Sequence, residues 1–221
     1  MIIKYKYILL TTLLTVFLLN STYAQDENGE TNKKLYKKIE FYDLRGTNAA
    51  DMAIGTALIT GDFPQPELGI YFRLGYKRHV TEHFGISLTF NRYNLAFDET
   101  FHEGFMSFDL NLEYLINPYH NISPFIYGGY GYNADTSFET TAAKAQGGLG
   151  IEFIVLEKFG VKLFGEYNYV FSDESNPIIQ AESNIGFIRM GLGLNFYFGG
   201  NKRKQKLLDS IETIINSNLI K

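Results

Sequence analysis

Proton transfer and metal binding in this chain would fall to its four histidines, which are His79, His83, His102 and His120. They are scattered, three in segments that read as short turns and His102 in a segment that reads as a loop. A base beside a hydroxyl nucleophile is suggested only where His102 adjoins Glu103, with Ser107 nearby. We therefore predict no catalytic residue, no metal ligand and no cofactor, and we keep an enzyme built on His102 as an alternative.

Composition narrows the remaining classes. Two glycine-rich runs, residues 128–131 and 147–150, lack the Lys-Ser/Thr pair and the following helix of a phosphate-binding loop. The chain has no cysteine, and its formal net charge of −4 argues against a nucleic-acid partner. It contains 21 Gly, 16 Tyr and 19 Phe, a content that suits strands with only one apolar face. Stability must then come from burial and backbone pairing.

The first residues have the pattern of a secretory signal peptide. Lys4 and Lys6 precede an apolar run from Ile8 to Leu19, and small or polar residues follow up to Ala24. The run is too short for a membrane-spanning helix, which needs about 20 residues. We predict a signal peptide over residues 1–24 and export of the mature chain.

The strand pattern dominates the rest of the chain. From about residue 51 to residue 198, eight segments alternate between apolar and polar side chains. In the last segment the apolar face comprises Ile188, Met190, Leu192, Leu194, Phe196 and Phe198. The opposite face of most segments carries glycines and nine charged residues, namely Arg73, Lys77, Asp109, Glu113, Lys144, Glu152, Lys162, Glu166 and Arg189.

The connections between these segments alternate in length. Three are short, at residues 78–83, 117–121 and 156–158, and four are polar and acidic, at residues 62–67, 98–104, 134–141 and 172–184. Short turns at one end and longer loops at the other are typical of outer-membrane barrels. The sequence thus predicts an all-β, eight-stranded antiparallel up-and-down transmembrane β-barrel, with periplasmic termini and acidic extracellular loops.

Which face points outward separates a membrane barrel from a soluble one. An eight-stranded barrel has an interior only just wide enough to be filled by side chains, so the glycine-bearing face belongs inside. The nine charged residues would then form a lumen network in which opposite charges pair. If residues 156–158 form a three-residue hairpin loop, Val155 pairs with Phe159 and Glu152 lies opposite Lys162, as a charge pair contributing roughly 0.2–1 kcal/mol.

The span from Met52 to Phe198 resembles the eight-stranded OmpA- and OmpX-like barrels. Its final phrase is similar to the assembly signal that those proteins carry on their last strand, with Gly193, Phe196 and Phe198 in place and Gly191 departing from the pattern. Two phrases, at residues 117–119 and 123–129, also resemble barrels of Bacteroidota, including those found with curli-type secretion proteins. The resemblance implies outer-membrane lipid and the barrel-assembly machinery as partners.

Two segments of the chain flank the predicted barrel. Residues 25–50 are predicted to be a polar periplasmic lead-in that orders little. Residues 199–221 form a basic tail, interpreted as a short amphipathic helix, a handle for a periplasmic partner, or a frayed end.

The leading functional hypothesis is a non-enzymatic outer-membrane protein with a structural or surface-contact role, linked to secretion or adhesion. An outer-leaflet lipid-modifying enzyme, such as a lipid A deacylase, and a narrow pore are the alternatives.

Overall fold

The computed structural model describes residues 27–61, 65–97, 101–136, 138, 140–171 and 184–210. The predicted signal peptide and the last residues of the basic tail lie outside these ranges. The chain divides into two compact units, residues 1–36 and 37–221. Among the described helices, none combines the length and the apolar character that crossing a membrane requires.

Nine strands and two helices make up the described chain. In chain order they are α1 (Glu27–Leu44), β1 (Asn48–Thr60), β2 (Pro66–Glu67), β3 (Gly69–His79), β4 (Phe84–Phe97), β5 (Phe101–Leu115), β6 (Ile122–Asp135), β7 (Thr141–Leu156), β8 (Phe159–Phe171), β9 (Asn184–Phe198) and α2 (Asn201–Asp209). The helix α1 crosses the boundary between the two units, and its residues from Lys37 onward belong to the second.

The eight long strands form a closed antiparallel barrel, as predicted. Each pairs with its neighbour in the chain, the two-residue β2 adds to the end of β4, and β1 pairs with β9 to close the sheet. The closing register runs from Asn48 opposite Phe198 to Thr60 opposite Gly186. Closure leaves the long strands with no bare edge, so their ladder groups are paired without water.

The outward face of the barrel is apolar. Leu192 and Phe196 are 58% and 56% exposed, whereas Arg189 and Glu166 on the other face are buried. Exposed aromatic side chains gather near both ends of the strands; they include Tyr76, Phe84, Phe153 and Phe198 at one end and Tyr132, Tyr167, Tyr169 and Phe171 at the other. This arrangement of an apolar band between two aromatic girdles is that of a lipid-facing barrel surface.

We call the two ends of the barrel the turn end and the loop end. The turn end carries the connections at residues 80–83, 116–121 and 157–158, and the first and last barrel strands begin and finish there. At the loop end, the connection between β4 and β5 is only residues 98–100, shorter than predicted, because the two strands continue pairing to Phe97 opposite Phe101. His102 and Glu103 therefore lie in β5 and not in a loop.

Inward glycines make room for large neighbouring side chains. Gly148 and Gly150 face Tyr127 and Phe125 across the β6–β7 ladder. A Cβ on Gly148 would lie 2.5 Å from the Cζ atom of Tyr127, and one on Gly150 would lie 2.6 Å from the Cζ atom of Phe125. Each aromatic ring thus covers the backbone of a glycine opposite it, a known way of stabilising glycine in sheets.

This packing predicts different effects on stability for substitutions at two adjacent glycines. In Gly148→Val the added side chain collides with the Tyr127 ring, and we expect the free energy of unfolding to fall by about 1–3 kcal/mol. In Gly147→Val the new Cβ would point outward and meet nothing nearer than the Tyr127 carbonyl oxygen at 3.9 Å, so stability should barely change. Urea unfolding of the two variants in lipid vesicles makes the comparison; equal losses would contradict it.

Candidate functional site

The interior of the barrel is the most chemically distinctive part of the molecule. All nine charged residues predicted to line it are buried there. The structure adds two that sequence reasoning missed, Asp51 on β1 and Arg45 between α1 and β1. Asp51 shares the parity of Ala49 and Ala53, which a closer reading of the weakly alternating first strand could have used. Arg45 gave no signal, because its segment precedes the strand pattern.

Glu166 is the hub of the central cluster. Its Oε2 atom accepts from Arg73 Nη2 at 2.8 Å and from the Tyr127 hydroxyl at 2.9 Å. Its Oε1 atom accepts from Arg189 Nε at 2.7 Å and from the Asn168 amide at 2.8 Å. Four strands are joined through this one carboxylate, since Arg73, Tyr127, Arg189 and Glu166 come from β3, β6, β9 and β8.

A second carboxylate extends the cluster. Asp109 Oδ2 accepts from Lys144 Nζ and Arg189 Nη2, both at 2.8 Å, and from the Asn91 amide at 2.9 Å. Arg189 therefore bridges Glu166 and Asp109. Its guanidinium carbon also lies 5.1 Å from the centre of the Tyr71 ring, within the range of a cation–π contact.

The turn-end half of the interior holds separate pairs. Lys77 Nζ donates to Glu113 Oε1 at 2.5 Å, and Lys162 forms an ion pair with Asp51. Glu152 does lie opposite Lys162 in the ladder, as predicted. The accompanying hairpin prediction is wrong: Leu156, not Val155, pairs with Phe159, and a bulge at residues 154–156 absorbs the difference.

Glu152 finds its charged partner outside the sheet. Its Oε2 atom accepts from Arg45 Nε at 2.8 Å, and its Oε1 atom accepts from the Asn195 amide at 2.6 Å and from the Tyr197 hydroxyl. Arg45 and Glu152 are 107 positions apart in the sequence. The strand register therefore determines which residues face each other in the ladder, but not which side chains form ion pairs.

Arg45 closes the turn end of the barrel. It is 0% exposed, and its guanidinium donates to the Pro118 carbonyl at 2.7 Å and to Ser123 Oγ at 2.8 Å, besides Glu152. Phe41, one helical turn earlier, is also fully buried in the core. Most of residues 25–50, the segment predicted to order little, is thus helical. The side chains of Phe41 and Arg45 form a plug in the turn end of the barrel. Ordering this segment satisfies polar groups that the barrel leaves buried.

Lys158 holds the same helix from the hairpin turn. Its ammonium donates to the carbonyls of Tyr42 and Arg45, the latter at 2.8 Å. These carbonyls lie at and just beyond the last turn of α1, where a helix lacks internal donors and attracts cations. Burial lowers the pKa of Lys158, whereas for Arg45 burial is outweighed by Glu152 and Tyr197, so that its pKa is raised. Arg45 stays charged.

Aromatic side chains fill the interior toward the loop end. Phe105, Tyr93 and Phe187 are buried, and the Tyr93 ring centre lies 4.8 Å from that of Phe187 and 5.9 Å from that of Phe105. The Tyr93 hydroxyl on β4 donates to Asn133 on β6, past the intervening β5. The described interior is therefore occupied from Arg45 through the Glu166 hub to this aromatic layer.

Among the described side chains, the residues first considered for chemistry do not come together. Ser107 is fully buried beside Arg189 in the interior, and the side chain of His102 lies outside the described residues. His79 and His83 are four apart, the spacing that brings imidazoles together on a helix. Here His79 is buried under Phe41 at the end of β3, and His83 stacks on Tyr114 in a turn. Within the described residues, no three His, Asp or Glu side chains converge as a metal site would require.

Comparison with known proteins agrees with the architecture. The family model described as "Outer membrane protein beta-barrel domain" matches residues 12–198. Neisserial surface protein A (NspA) superposes with a TM-score of 0.57 at 12% identity, over 69% of this chain and 98% of that chain. At this identity the likeness concerns the fold alone.

Two further structures match less closely. They are the N-terminal β-barrel domain of Pseudomonas aeruginosa OprF (TM-score 0.45, 15% identity, 69% of this chain and 99% of that chain) and the attachment invasion locus protein Ail of Yersinia pestis (0.42, 16%, 68% and 99%). A search of curated protein sequences gives no match.

Proposed function

Because the chain belongs to the outer membrane protein beta-barrel domain family, we propose that it is a non-enzymatic outer-membrane protein with a structural and surface-contact role. In this proposal a sealed barrel anchors the acidic connections of the loop end at the cell surface. The observation that carries it is the occupied interior, with Arg45, the Glu166 hub and the Tyr93 layer at three successive levels. A barrel filled in this way is suited to anchoring, and not to passing solutes.

The orientation and maturation of the chain are part of the proposal. Residues 1–24 would be removed as a signal peptide. The turn end would lie in the periplasm and the loop end outside the cell, as the short and long connections of such barrels usually do. Phe196 and Phe198 are exposed on the outward face of β9, where the assembly machinery has access to them before insertion. We propose that, with Gly193, they form the assembly signal.

Single cysteines test the orientation cleanly, because the natural chain contains none. We expect Thr136→Cys at the loop end to react with a membrane-impermeant maleimide on intact cells. Glu157→Cys at the turn end should react only after the outer membrane is permeabilised. Both side chains are exposed, so the two variants differ mainly in the side of the membrane. Labelling of Glu157→Cys alone on intact cells would show the opposite orientation and contradict the proposal.

Planar-bilayer recording tests the sealed barrel. A conducting path would have to displace ion-paired side chains at the level of Glu166, where Arg73 and Arg189 both bind. We expect no steady channels from the reconstituted chain, with a known open porin in the same lipid as positive control. Uniform, voltage-stable unitary currents would refute the proposal in favour of the narrow pore.

The surface role needs its own experiment. Cells carrying the chain with residues 172–183 replaced by a Gly-Ser linker should keep the folded barrel but lose attachment to the surface, matrix or partner that the intact chain binds. Cells lacking the whole chain give the reference. Unchanged attachment in both strains would contradict a contact role, and an altered lipid A acyl pattern in the deletion strain and in His102→Ala would favour an enzyme instead.

A further inference from the structure

Beyond the role of the loops, the turn end carries a second interaction surface on α2. We propose that the exposed cations of α2, namely Lys202, Arg203 and Lys206, bind the anionic headgroups of phospholipids in the periplasmic leaflet. This inference rests on the proposed orientation of the barrel. It concerns a face that the surface-contact role does not use.

The position of α2 places these cations at the edge of the lipid-facing surface. Phe198, the last residue of β9, is 42% exposed beside Tyr76 in the aromatic girdle of the turn end. Gly199 and Gly200 follow with φ of +73° and +94°, values that strain other residues, and they turn the chain into α2 at once. Lys202 is four residues beyond Phe198, so the backbone between them spans at most about 14 Å.

Two contacts hold α2 against the rest of the turn end. Lys204 pairs with Asp43 near the end of α1, and Leu207, one turn further along the same face, packs against the core cluster that contains Phe41 and Tyr42. Of the tail interpreted as an amphipathic helix, residues 201–209 are helical, Leu208 is exposed, and the apolar residues beyond it lie outside the described ranges. Leu207 faces protein, so α2 does not attach to lipid by burying that side chain.

The remaining face of α2 is cationic and unneutralised. Lys202, Arg203 and Lys206 are exposed, and none forms an ion pair with any residue in the described part of the chain. The one acidic residue of α2, Asp209, accepts from the Gln205 amide at 2.9 Å. Three cations on a helix of nine residues at the edge of the lipid-facing surface give this end of the barrel an excess of positive charge, which attracts anionic headgroups most strongly at low salt.

Charge complementarity favours phospholipid over a protein partner. A protein interface usually needs a desolvated aromatic or arginine anchor in a pocket, whereas the exposed face of α2 presents flexible side chains and no groove. Mobile anionic headgroups can gather around such a face without a fixed geometry. The contact is therefore expected to weaken with salt.

Titration of short-chain lipids tests the proposal on the full mature chain in zwitterionic detergent. Backbone amide shifts of α2 should report phosphatidylglycerol binding at least about tenfold tighter than phosphatidylcholine, since each cation near an anionic surface contributes roughly fivefold at low salt. The variant K202Q/R203Q/K206Q should lose this preference. The matched control K202R/K206R keeps every charge and should retain it.

The outcomes separate this inference from the proposed function. Equal affinity for the two lipids, or an unchanged preference in K202Q/R203Q/K206Q, would overturn it. Labelling of Gln205→Cys on intact cells would also overturn it, by moving α2 to the outer leaflet. Absence of conductance and labelling of Thr136→Cys remain independent of these results, so the role of the barrel can stand if α2 binds no phospholipid.

Discussion

Replacing Glu166 with Gln is expected to lower the free energy of unfolding of the barrel by about 3–5 kcal/mol. The carboxylate receives both Arg73 and Arg189, with distances of 2.8 Å from Arg73 Nη2 and 2.7 Å from Arg189 Nε. Without it, two guanidinium groups stay buried with one fewer anion between them, and neither can reach water. Urea unfolding in lipid vesicles, followed by circular dichroism or by the mobility of the folded band, measures the loss.

Two comparisons make the Glu166 result specific. Glu157→Gln removes the same charge from an exposed turn position and should change stability by no more than about 0.5 kcal/mol. Replacing Glu166 and Arg189 together with Met should cost less stability than the sum of Glu166→Met and Arg189→Met. In the double variant neither member of that ion pair is left without the other. A loss below 1 kcal/mol for Glu166→Gln would mean that the hub contributes little.

Arg45→Ala is expected to destabilise the turn end to a similar extent, by about 3–5 kcal/mol. The change removes the donors to Glu152, to the Pro118 carbonyl and to Ser123 Oγ, which are all within 2.8 Å of the guanidinium. Glu152 is then buried without its cation, although Asn195 and Tyr197 still donate to it. Hydrogen exchange should additionally show that protection is lost first at the end of α1, which Arg45 follows directly.

The control for Arg45 is a surface ion pair at the same end. Lys38 lies 3.6 Å from Glu82, and the Lys38 side chain is 46% exposed, so Lys38→Gln should cost less than about 1 kcal/mol. Arg45→Lys should recover only part of the loss, since an ammonium cannot reach the three acceptors that the planar guanidinium serves at once. If Arg45→Ala and Lys38→Gln behave alike, the plug does not stabilise the barrel.

The sequence by itself determined the barrel and the two faces of its strands. Alternation with period two is a local property, so reading Leu192 and Leu194 against Arg189 and Gly193 was enough to separate the two faces. The rule that small side chains belong in a narrow interior predicted the inward side for the nine charged residues, all of which are buried. The predicted facing of Glu152 and Lys162 is also observed, although the hairpin from which it was counted has a different loop and a bulge at residues 154–156.

Only the tertiary structure decided which charges bind each other. Glu152 faces Lys162 in the ladder but pairs with Arg45, while Lys162 pairs with Asp51. Long side chains reach across the narrow interior, so their partners depend on strand tilt, on the glycines that open space and on a helix from outside the sheet. These are relations between residues on the order of 100 positions apart, and no local pattern encodes them. For the same reason, the plug of Phe41 and Arg45 became visible only once the barrel was closed.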